Sequence, residues 1–265
     1  MPNKVCVITG GSSGIGSALV RSYASEGFDV AFCGRRQSQL EDVMKSTQND
    51  FPEVNIKAYT TDVCDHKQMS AFQADVIQDF GRVDTVIANA GFALGGHFEK
   101  LTLADYRRQF EVNIFGVLRT AKLFLDPLKK SKGTLAIIGS VNSYVSLPSV
   151  SAYAMSKHAL IALSESLRAE LKQYGVGVTI ICPGFVESDI RQRDKSGEQV
   201  TDKKDYAKRF AMNADKAAIQ IKKAIESRKA EKIITWHGFF AIHLRRWFPR
   251  LTRFVTTVKI VERKN

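Results

Sequence analysis

Short runs of consecutive apolar residues alternate along the chain with longer stretches in which apolar positions recur at helical spacing. The short runs are rich in β-branched residues and apolar on successive positions, which is typical of strands buried on both faces of a parallel sheet. These runs predict strands at residues 5–9, 29–34, 55–59, 83–88, 133–139, 176–181 and 232–235. Helical spacing predicts helices at residues 15–26, 38–47, 67–80, 104–127 and 152–174.

Alternation of strands and helices with short connections predicts an α/β fold in which helices cover both faces of a parallel sheet. We therefore expect a Rossmann-type, doubly wound, seven-stranded parallel sheet. Neither a linker nor a repeat interrupts residues 1–235, which are predicted to form a single domain with a polar, ligand-covering loop at residues 187–213. The remaining residues, 236–265, are predicted to form a basic amphipathic C-terminal extension.

A glycine-rich segment lies directly between the first predicted strand and the first predicted helix. Gly10, Gly14 and Gly16 permit a tight turn and a close approach of a pyrophosphate to the backbone. The N–H groups that open the helix would then face the phosphates. An ordinary glycine turn is the alternative, and the strand–turn–helix context favours the dinucleotide site.

Two arginines, Arg35 and Arg36, follow the second predicted strand. In a dinucleotide-binding fold an acidic residue at this strand end would accept a hydrogen bond from the ribose 2′-hydroxyl of NAD. A guanidinium group suits a 2′-phosphate instead. A solvated pair of cations at a helix start is the alternative. The pair therefore favours NADP(H) as the cofactor.

Tyr153 and Lys157 are four residues apart at the start of a long predicted helix, so they lie on one face. An ammonium group near a phenol favours the phenolate, which makes tyrosine a usable acid/base near neutral pH. Such a pair alone is common on helix surfaces. Ser140, however, ends the preceding strand, and strand ends and the next helix start converge on the ligand crevice of a parallel sheet. Together these residues predict a catalytic site.

On these motifs the chain resembles the short-chain dehydrogenase/reductase family from residue 3 to about residue 235. The resemblance implies an NADP(H)-dependent oxidoreductase that moves hydride between nicotinamide and a carbonyl or alcohol carbon. It implies four catalytic residues, namely Asn113, Ser140, Tyr153 and Lys157. It implies cofactor contacts at Gly10, Ser12, Ser13, Gly14, Ile15, Gly16, Arg35, Arg36, Asp62, Val63, Asn89, Ala90, Gly91, Tyr153, Lys157, Pro183, Gly184, Val186 and Ser188.

The resemblance also implies a role for each catalytic residue. Ser140 would hydrogen-bond the substrate oxygen, and Tyr153 would give that oxygen a proton or remove one. Lys157 would bridge the ribose hydroxyls and tune Tyr153, while Asn113 would hold a water for proton relay. A non-catalytic NADP(H)-sensing regulatory protein is the alternative function. Such proteins need the glycine loop but can lose the tyrosine, which is retained here.

The segments expected to line the substrate pocket, residues 92–98 and 141–150, are apolar at Phe92, Leu94, Tyr144, Val145 and Leu147. We therefore expect a hydrophobic ketone or secondary alcohol as substrate, similar to a lipid, steroid or keto-acyl group. The helices at 104–127 and 152–174 carry more apolar residues than one buried face requires. In the resembling family these helices pair across a two-fold axis, which implies a homodimer or homotetramer.

Cysteine and histidine usage narrows the class of protein. The four cysteines lie far apart without a Cys-x-x-Cys pair, which argues against a zinc site and a disulfide framework. The histidines have no ligand-like spacing, so no metal is expected. A secretion-signal pattern is absent, and no apolar stretch reaches the roughly 18 residues of a membrane span. These features predict a cytoplasmic protein.

The formal net charge is +12, and half of that excess lies in the last 33 residues. No nucleic-acid recognition motif accompanies it, so nucleic acid is not expected as a partner. Pro249 interrupts an apolar stripe at helical spacing in this segment, and arginines fall largely between the stripe positions. The stripe comprises Phe240, Leu244, Trp247, Phe248, Leu251, Phe254, Val255 and Val258. Packing against the domain or a second subunit and peripheral contact with a membrane surface are both open interpretations.

Overall fold

A computed structural model of the protein describes residues 3–187 and 211–254. Its single described sheet consists of seven parallel strands in the order β3-β2-β1-β4-β5-β6-β7. The strands are β1 Val5–Thr9, β2 Asp29–Gly34, β3 Ile56–Thr60, β4 Thr85–Ala88, β5 Thr134–Ile138, β6 Gly177–Pro183 and β7 Glu231–Ile234. The predicted fold class is therefore confirmed.

The apolar runs form strands because successive side chains enter two different cores. In β1, Cys6 and Ile8 join the core on one face of the sheet, and Val7 joins the core on the other. The same alternation in β2 separates Phe32 from Cys33. Because both faces are buried, the sequence reads as a continuous apolar run rather than an alternating one.

Helices cover both faces of the sheet. The described helices are α1 Gly14–Ala24, α2 Gln37–Asp50, α3 His66–Phe80, α4 Leu103–Phe110, α5 Gly116–Leu123, α6 Leu125–Ser131, α7 Ser151–Leu171, α8 Ala214–Glu226 and α9 Trp236–Trp247. Helices α1, α2 and α8 contribute to the first core, and α3, α5, α6 and α7 to the second. None of the helices described is long and apolar enough to cross a membrane.

The helix predicted at residues 104–127 is not continuous. A π-helical turn, Glu111–Phe115, separates α4 from α5, and a second interruption at Phe124 separates α5 from α6. Pro127 explains the second interruption, because its nitrogen cannot donate to the carbonyl of Leu123 as a continuous helix would require. The helical spacing of the sequence does not reveal the π-helical turn.

The sequence pattern assigns no helix between the last two predicted strands, and α8 lies there. Asn213 caps this helix, since its Oδ1 accepts from the backbone N–H of Asp215 (3.0 Å) and of Lys216 (3.3 Å). A crossover between parallel strands also calls for a helix. Asn213 can be recognised in the sequence as a capping residue, and two successive parallel strands require a crossover helix between them. Helix α8 was therefore predictable.

Helix α9 follows β7 directly, and Thr235 caps it by accepting from the N–H of Gly238 (3.3 Å). The helix ends at Trp247, and residues 249–254 are helical again after Pro249. Gly238 and Ile242 on the inner side of α9 are buried against the domain. Val255 and Val258 of the predicted stripe lie outside the described residues.

Candidate active site

A cavity of about 600 Å³ opens at the carboxyl ends of the strands, where the strand order reverses between β1 and β4. Most of the predicted site residues line it. These are Gly10, Ser12, Ser13, Ile15, Gly16, Arg35, Arg36, Asp62, Val63, Asn89, Ala90, Gly91, Ser140, Tyr153, Lys157, Pro183, Gly184 and Val186. Within the described chain, Gly14 and Asn113 are not part of the lining, and Ser188 lies outside the described residues.

The glycine loop is tightly constrained. Gly10 has a φ of +71°, and a Cβ placed on Gly16 would lie 2.1 Å from the carbonyl oxygen of Gly10. The Nδ2 of Asn89 donates to that same oxygen (3.0 Å), which fixes the loop to the end of β4. As the structure describes it, the first turn of α1 holds neither an acidic residue nor a side-chain cap. The turn is therefore suited to an anion.

The predicted 2′-phosphate site lies beside this loop. The Nη2 of Arg36 donates to the hydroxyl oxygens of Ser12 (3.0 Å) and Ser13 (2.8 Å). These bonds hold the guanidinium group over the glycine loop, while the Arg35 side chain is exposed on the cavity lining. Two cations and two hydroxyls thus meet at the end of the cavity next to β2.

Ser140 follows β5 and caps a short 3₁₀ turn, Val141–Ser143. Its Oγ accepts from the backbone N–H of Asn142 (3.1 Å), and its own N–H donates to the Oγ of Ser143 (3.1 Å). Because the Oγ acts as an acceptor toward Asn142, its O–H can point into the cavity. The side chain is therefore set to donate to a ligand oxygen.

Tyr153 lies in the first turn of α7, and Lys157 lies one turn later. The Nζ of Lys157 is 5.8 Å from the centroid of the Tyr153 ring and donates to the carbonyl of Ile138 (2.7 Å). The Lys157 side chain is 3% exposed, and this burial lowers its pKa to about 8. The group is therefore still mainly an ammonium ion at neutral pH, next to the phenol ring.

Asn113 occupies the π-helical turn and is fully buried. Its Oδ1 accepts from the N–H of Phe92 (3.1 Å), and its Nδ2 donates to the carbonyl of Phe92 (3.1 Å) and to the Oγ of Ser156 (3.0 Å). The Ser156 hydroxyl donates in turn to the carbonyl of Tyr153 (2.7 Å). The Asn113 amide is therefore engaged with protein groups, and it connects the wall at Phe92 to the first turn of α7.

Gln109 performs a parallel task that the sequence analysis missed. Its Nε2 donates to the carbonyl of Phe92 (2.8 Å), and its Oε1 accepts from the N–H of Leu94 (2.8 Å). The available signal in the sequence was its spacing of four residues from Asn113, which places two amide side chains on one helix face. Two buried amides thus fix the backbone of the cavity wall.

Helix α9 also contributes to the cavity, which the sequence analysis did not anticipate. His237, Gly238 and Ala241 line it. The Nε2 of His237 accepts from the N–H of Phe185 (3.1 Å), and the two rings stack with centroids 5.3 Å apart. A Cβ on Gly238 would lie 2.5 Å from Cγ2 of Val141. An apolar stripe in the sequence does not indicate which surface it packs on, so no local signal could have found these contacts.

The expected apolar wall is present in part. Phe92, Val145 and Leu147 line the cavity, together with Val112, Val141 and Val150. Leu94 is buried and Tyr144 packs against the second core, and neither takes part in the lining described. Over residues 3–187 and 211–254, no group of His, Cys, Asp and Glu side chains could hold a metal ion.

A family model described as short chain dehydrogenase matches residues 4–199 of the chain. An uncharacterised oxidoreductase of Mycobacterium tuberculosis is 31% identical over 251 residues, which cover 93% of this chain and 95% of that protein. The 11-beta-hydroxysteroid dehydrogenase A of Arachis hypogaea is 33% identical over 188 residues, covering 71% and 53%. A crystal structure of an alcohol dehydrogenase from Thermococcus sibiricus, complexed with 5-hydroxy-NADP, is similar at a TM-score of 0.78 and 28% identity, covering 87% and 95%.

Proposed function

The chain belongs to the short-chain dehydrogenase family, and from that premise we propose that it is an NADP(H)-dependent oxidoreductase. It transfers hydride between nicotinamide and a hydrophobic ketone or secondary alcohol. One observation carries the proposal: Ser140, Tyr153 and Lys157 line the same cavity as the glycine loop and the arginine pair. Acid/base chemistry and dinucleotide binding can therefore take place in one continuous space.

The cavity fits the cofactor that the family implies. The glycine loop and the uncapped start of α1 would hold the pyrophosphate, and Asp62 and Val63 would contact the adenine. The nicotinamide half of the cofactor would contact seven further residues, namely Asn89, Ala90, Gly91, Pro183, Gly184, Val186 and Ser188. When bound, the nicotinamide supplies or accepts the hydride.

Ser140, Tyr153 and Lys157 would bind the oxygen atom of the substrate and exchange a proton with it. In the reductive direction, Ser140 donates a hydrogen bond to the carbonyl oxygen, and Tyr153 transfers its phenolic proton to that oxygen as the carbon is reduced. The ammonium of Lys157 then stabilises the phenolate left on Tyr153. Oxidation of an alcohol runs through the same groups in reverse.

Asn113 and Ser156 act as positioning residues in this scheme. The amide of Asn113 bonds the Ser156 hydroxyl, and that hydroxyl bonds the backbone of Tyr153. We therefore propose that Asn113 supports the orientation of Tyr153 through this chain of contacts. A water-holding role for Asn113, as the family resemblance implies, would have to use its backbone, since its amide is already engaged.

A preference for NADP(H) over NAD(H) rests on the arginine pair. Arg36 is held beside Ser12 and Ser13 by two hydrogen bonds, so a bidentate partner for a phosphate is already oriented. The similar alcohol dehydrogenase of Thermococcus sibiricus was crystallised with an NADP derivative, which supports the same preference. The bound 2′-phosphate would replace the hydroxyls as the partner of the guanidinium group.

The proposed substrate class rests on the apolar lining formed by Phe92, Val145 and Leu147. An apolar wall selects hydrophobic molecules because burial of their surface drives binding. The similarity to a hydroxysteroid dehydrogenase supports a steroid- or lipid-like ketone or alcohol. A keto-acyl group fits the same description.

We further propose a cytoplasmic homodimer or homotetramer with peripheral contact to a membrane surface. All four cysteines are free thiols, which suits a reducing compartment.

The proposed oligomer rests on exposed apolar side chains. Phe115 and Met155, in the predicted pairing helices, expose such side chains. Pairing of these helices across a two-fold axis would bury them, and light scattering at micromolar concentration would detect a monomer if the proposal is wrong.

Substitution of Tyr153 by Phe tests the proposed function. The change keeps the ring and removes the transferable proton, so we expect kcat to fall about 10²–10⁴-fold with NADPH affinity nearly unchanged. Tyr106→Phe is the matched control, because it removes a phenolic hydrogen bond to Ser151 outside the cavity lining. Retention of more than about a tenth of kcat by Tyr153→Phe would refute the assignment.

A further inference from the structure

Helix α9 has two different apolar faces. Its inner face packs on the domain through Gly238 and Ile242, and Ala241 lines the cavity. Its outer face carries Trp236, Phe240 and Trp247, which fall on one side at helical spacing and are 78%, 68% and 72% exposed. Packing on the domain therefore explains only one of the two faces.

The helical segment that follows α9 also exposes apolar side chains. We call this surface together with the outer face of α9 the tail face, and it consists of Trp236, Phe239, Phe240, Trp247, Phe248, Leu251 and Phe254. All of these side chains are exposed in the part of the chain that the structure describes. So many exposed large apolar side chains within 19 residues of sequence indicate an interaction site on an otherwise folded protein.

The charge around the tail face is of one sign. Between residues 232 and 254 the sequence contains no Asp or Glu, while Arg245, Arg246, Arg250 and Arg253 accompany the aromatic residues. Arg246 and Arg250 are exposed. The partner that fits is therefore apolar where it meets the rings and anionic around them. A second copy of the same face would bring these arginines toward one another, which like-charge repulsion opposes.

We propose that the tail face docks on an anionic lipid bilayer. Tryptophan and phenylalanine enter the boundary between head groups and acyl chains, and clustered arginines are attracted to anionic head groups. Helix α9 would then lie in the plane of the membrane surface, with its inner face still packed on the domain. The aromatic side chains bind by becoming buried in the bilayer, and the arginines make the protein prefer anionic over neutral lipid.

The position of α9 gives this contact a consequence for the site. The same helix supplies His237, Gly238 and Ala241 to the cavity wall, so docking brings the cavity next to the lipid. This step rests on the proposed function: a hydrophobic ketone dissolved in the bilayer would reach Tyr153 without crossing bulk water. The bilayer is thus both the docking partner and the source of substrate.

The chain contains its own reporter for this proposal, because Trp236 and Trp247 are its only two tryptophans and both belong to the tail face. The full-length protein is titrated with vesicles of phosphatidylcholine and with vesicles that also contain phosphatidylserine. We expect a blue shift of tryptophan emission and co-sedimentation with the anionic vesicles, reversed by salt because screening weakens the attraction. Quenching by brominated anionic lipid would place the indoles at acyl-chain depth.

Two double variants separate the apolar and the charged contributions while keeping both tryptophans. Phe239→Ser with Phe240→Ser, and Arg246→Glu with Arg250→Glu, should each weaken binding to anionic vesicles at least about tenfold. The matched controls are Ile219→Ser, and Lys216→Glu with Lys223→Glu, on exposed positions of α8. These controls should bind within about twofold of wild type, and all variants should keep the wild-type melting temperature.

Several results would overturn the proposal. One is an emission spectrum that anionic vesicles leave unchanged. Another is a blue shift without lipid that grows with protein concentration, which would assign the tail face to a second copy. A third is vesicle binding that appears only after removal of residues 255–265, which would mean that this segment covers the face. The vesicle-binding experiments are independent of catalysis. The Tyr153→Phe variant should bind vesicles like wild type, even though it cannot turn over substrate.

Delivery of substrate is tested with a ketone carried in anionic vesicles and a water-soluble ketone. The Phe239→Ser, Phe240→Ser variant should lose most of its activity on the first and retain its activity on the second. Equal activity on both would overturn the delivery step while leaving the proposed function intact. Absence of activity on both ketones in a wild-type protein that docks normally would count against the proposed function and not against the docking surface.

Discussion

The two ends of the cavity are built in different ways. At the cofactor end, Gly10, Gly16 and Arg36 come from one glycine loop and the strand end beside it, and the backbone itself forms the surface. At the substrate end, Phe92, Leu147 and His237 come from three segments that are far apart in the sequence. The first end can be recognised from short motifs, whereas the second exists only after the chain has folded.

This difference reflects the physical demands at each end. A Cβ on Gly16 would lie 2.1 Å from a backbone oxygen, so the cofactor end does not tolerate a side chain there. The substrate end is assembled from side chains such as Val145 and Leu147, which can be exchanged for other apolar groups at a modest cost. The sequence therefore predicts the class of reaction but does not predict the substrate.

Among the changes that compare the two ends, the largest effect on cofactor preference is expected at the cofactor end. Replacing Arg35 by Asp and Arg36 by Ala removes the charged partner of a 2′-phosphate and offers a carboxylate to a 2′-hydroxyl. We expect the ratio of kcat/KM for NADPH to that for NADH to fall at least about tenfold, because hydrogen bonds to charged groups contribute about 1.5–3 kcal/mol. Arg107→Ala, at an exposed position of α4, is the control. An unchanged ratio would mean that the pair does not face the cofactor.

A second effect should appear in the pH profile at the catalytic centre. Burial lowers the pKa of Lys157 to about 8, so the free enzyme loses this ammonium ion as the pH rises above that value. We expect kcat/KM for carbonyl reduction to fall about tenfold per pH unit there. Lys157→Arg should move the fall to higher pH, since a guanidinium group stays charged. A wild-type profile that stays flat well above pH 8 would contradict the role of this ammonium.

The sequence predicts the sheet because its inner strands are buried on both faces, as Cys6, Val7 and Ile8 of β1 illustrate. It predicts the site as a set of motifs, and the structure brings most of these residues to one cavity. It does not predict the π-helical turn around Asn113, because the shift of one residue that such a turn introduces is hidden where apolar positions are as dense as Val112, Ile114 and Phe115. Nor does it predict where α9 packs, because that depends on contacts between Gly238 and Val141, which are distant in sequence.

The smallest expected effect concerns the contact between α9 and the substrate end. Burial lowers the pKa of His237, so the folded state binds this proton less readily than the unfolded chain, whose histidine pKa is about 6.5. Stability from the neutral His237 is therefore fully present above about pH 6.5 and is lost as the pH falls through the lowered folded pKa. His237→Asn should reduce the drop in Tm between pH 7.5 and about 5.5 by at most a few degrees.

His66→Asn is the control for this change, because His66 is exposed at the start of α3. It should leave the pH dependence of Tm as in wild type. If His237→Asn also leaves it unchanged, the bond from the Phe185 N–H to the neutral imidazole does not contribute to holding α9. Helix α9 would then be held at the cavity by its apolar contacts, such as that of Gly238 with Val141.

We propose above all that one cavity of the protein combines NADP(H) binding with reduction of a hydrophobic carbonyl group. The most direct test is the steady-state kcat/KM of the wild-type protein for NADPH and for NADH, measured across a panel of hydrophobic ketones and matching alcohols. We predict turnover of at least one such ketone, with NADPH preferred about tenfold or more. A preference for NADH would contradict the cofactor assignment. Tight NADPH binding without turnover of any ketone or alcohol would contradict the enzymatic function and favour a cofactor-sensing protein.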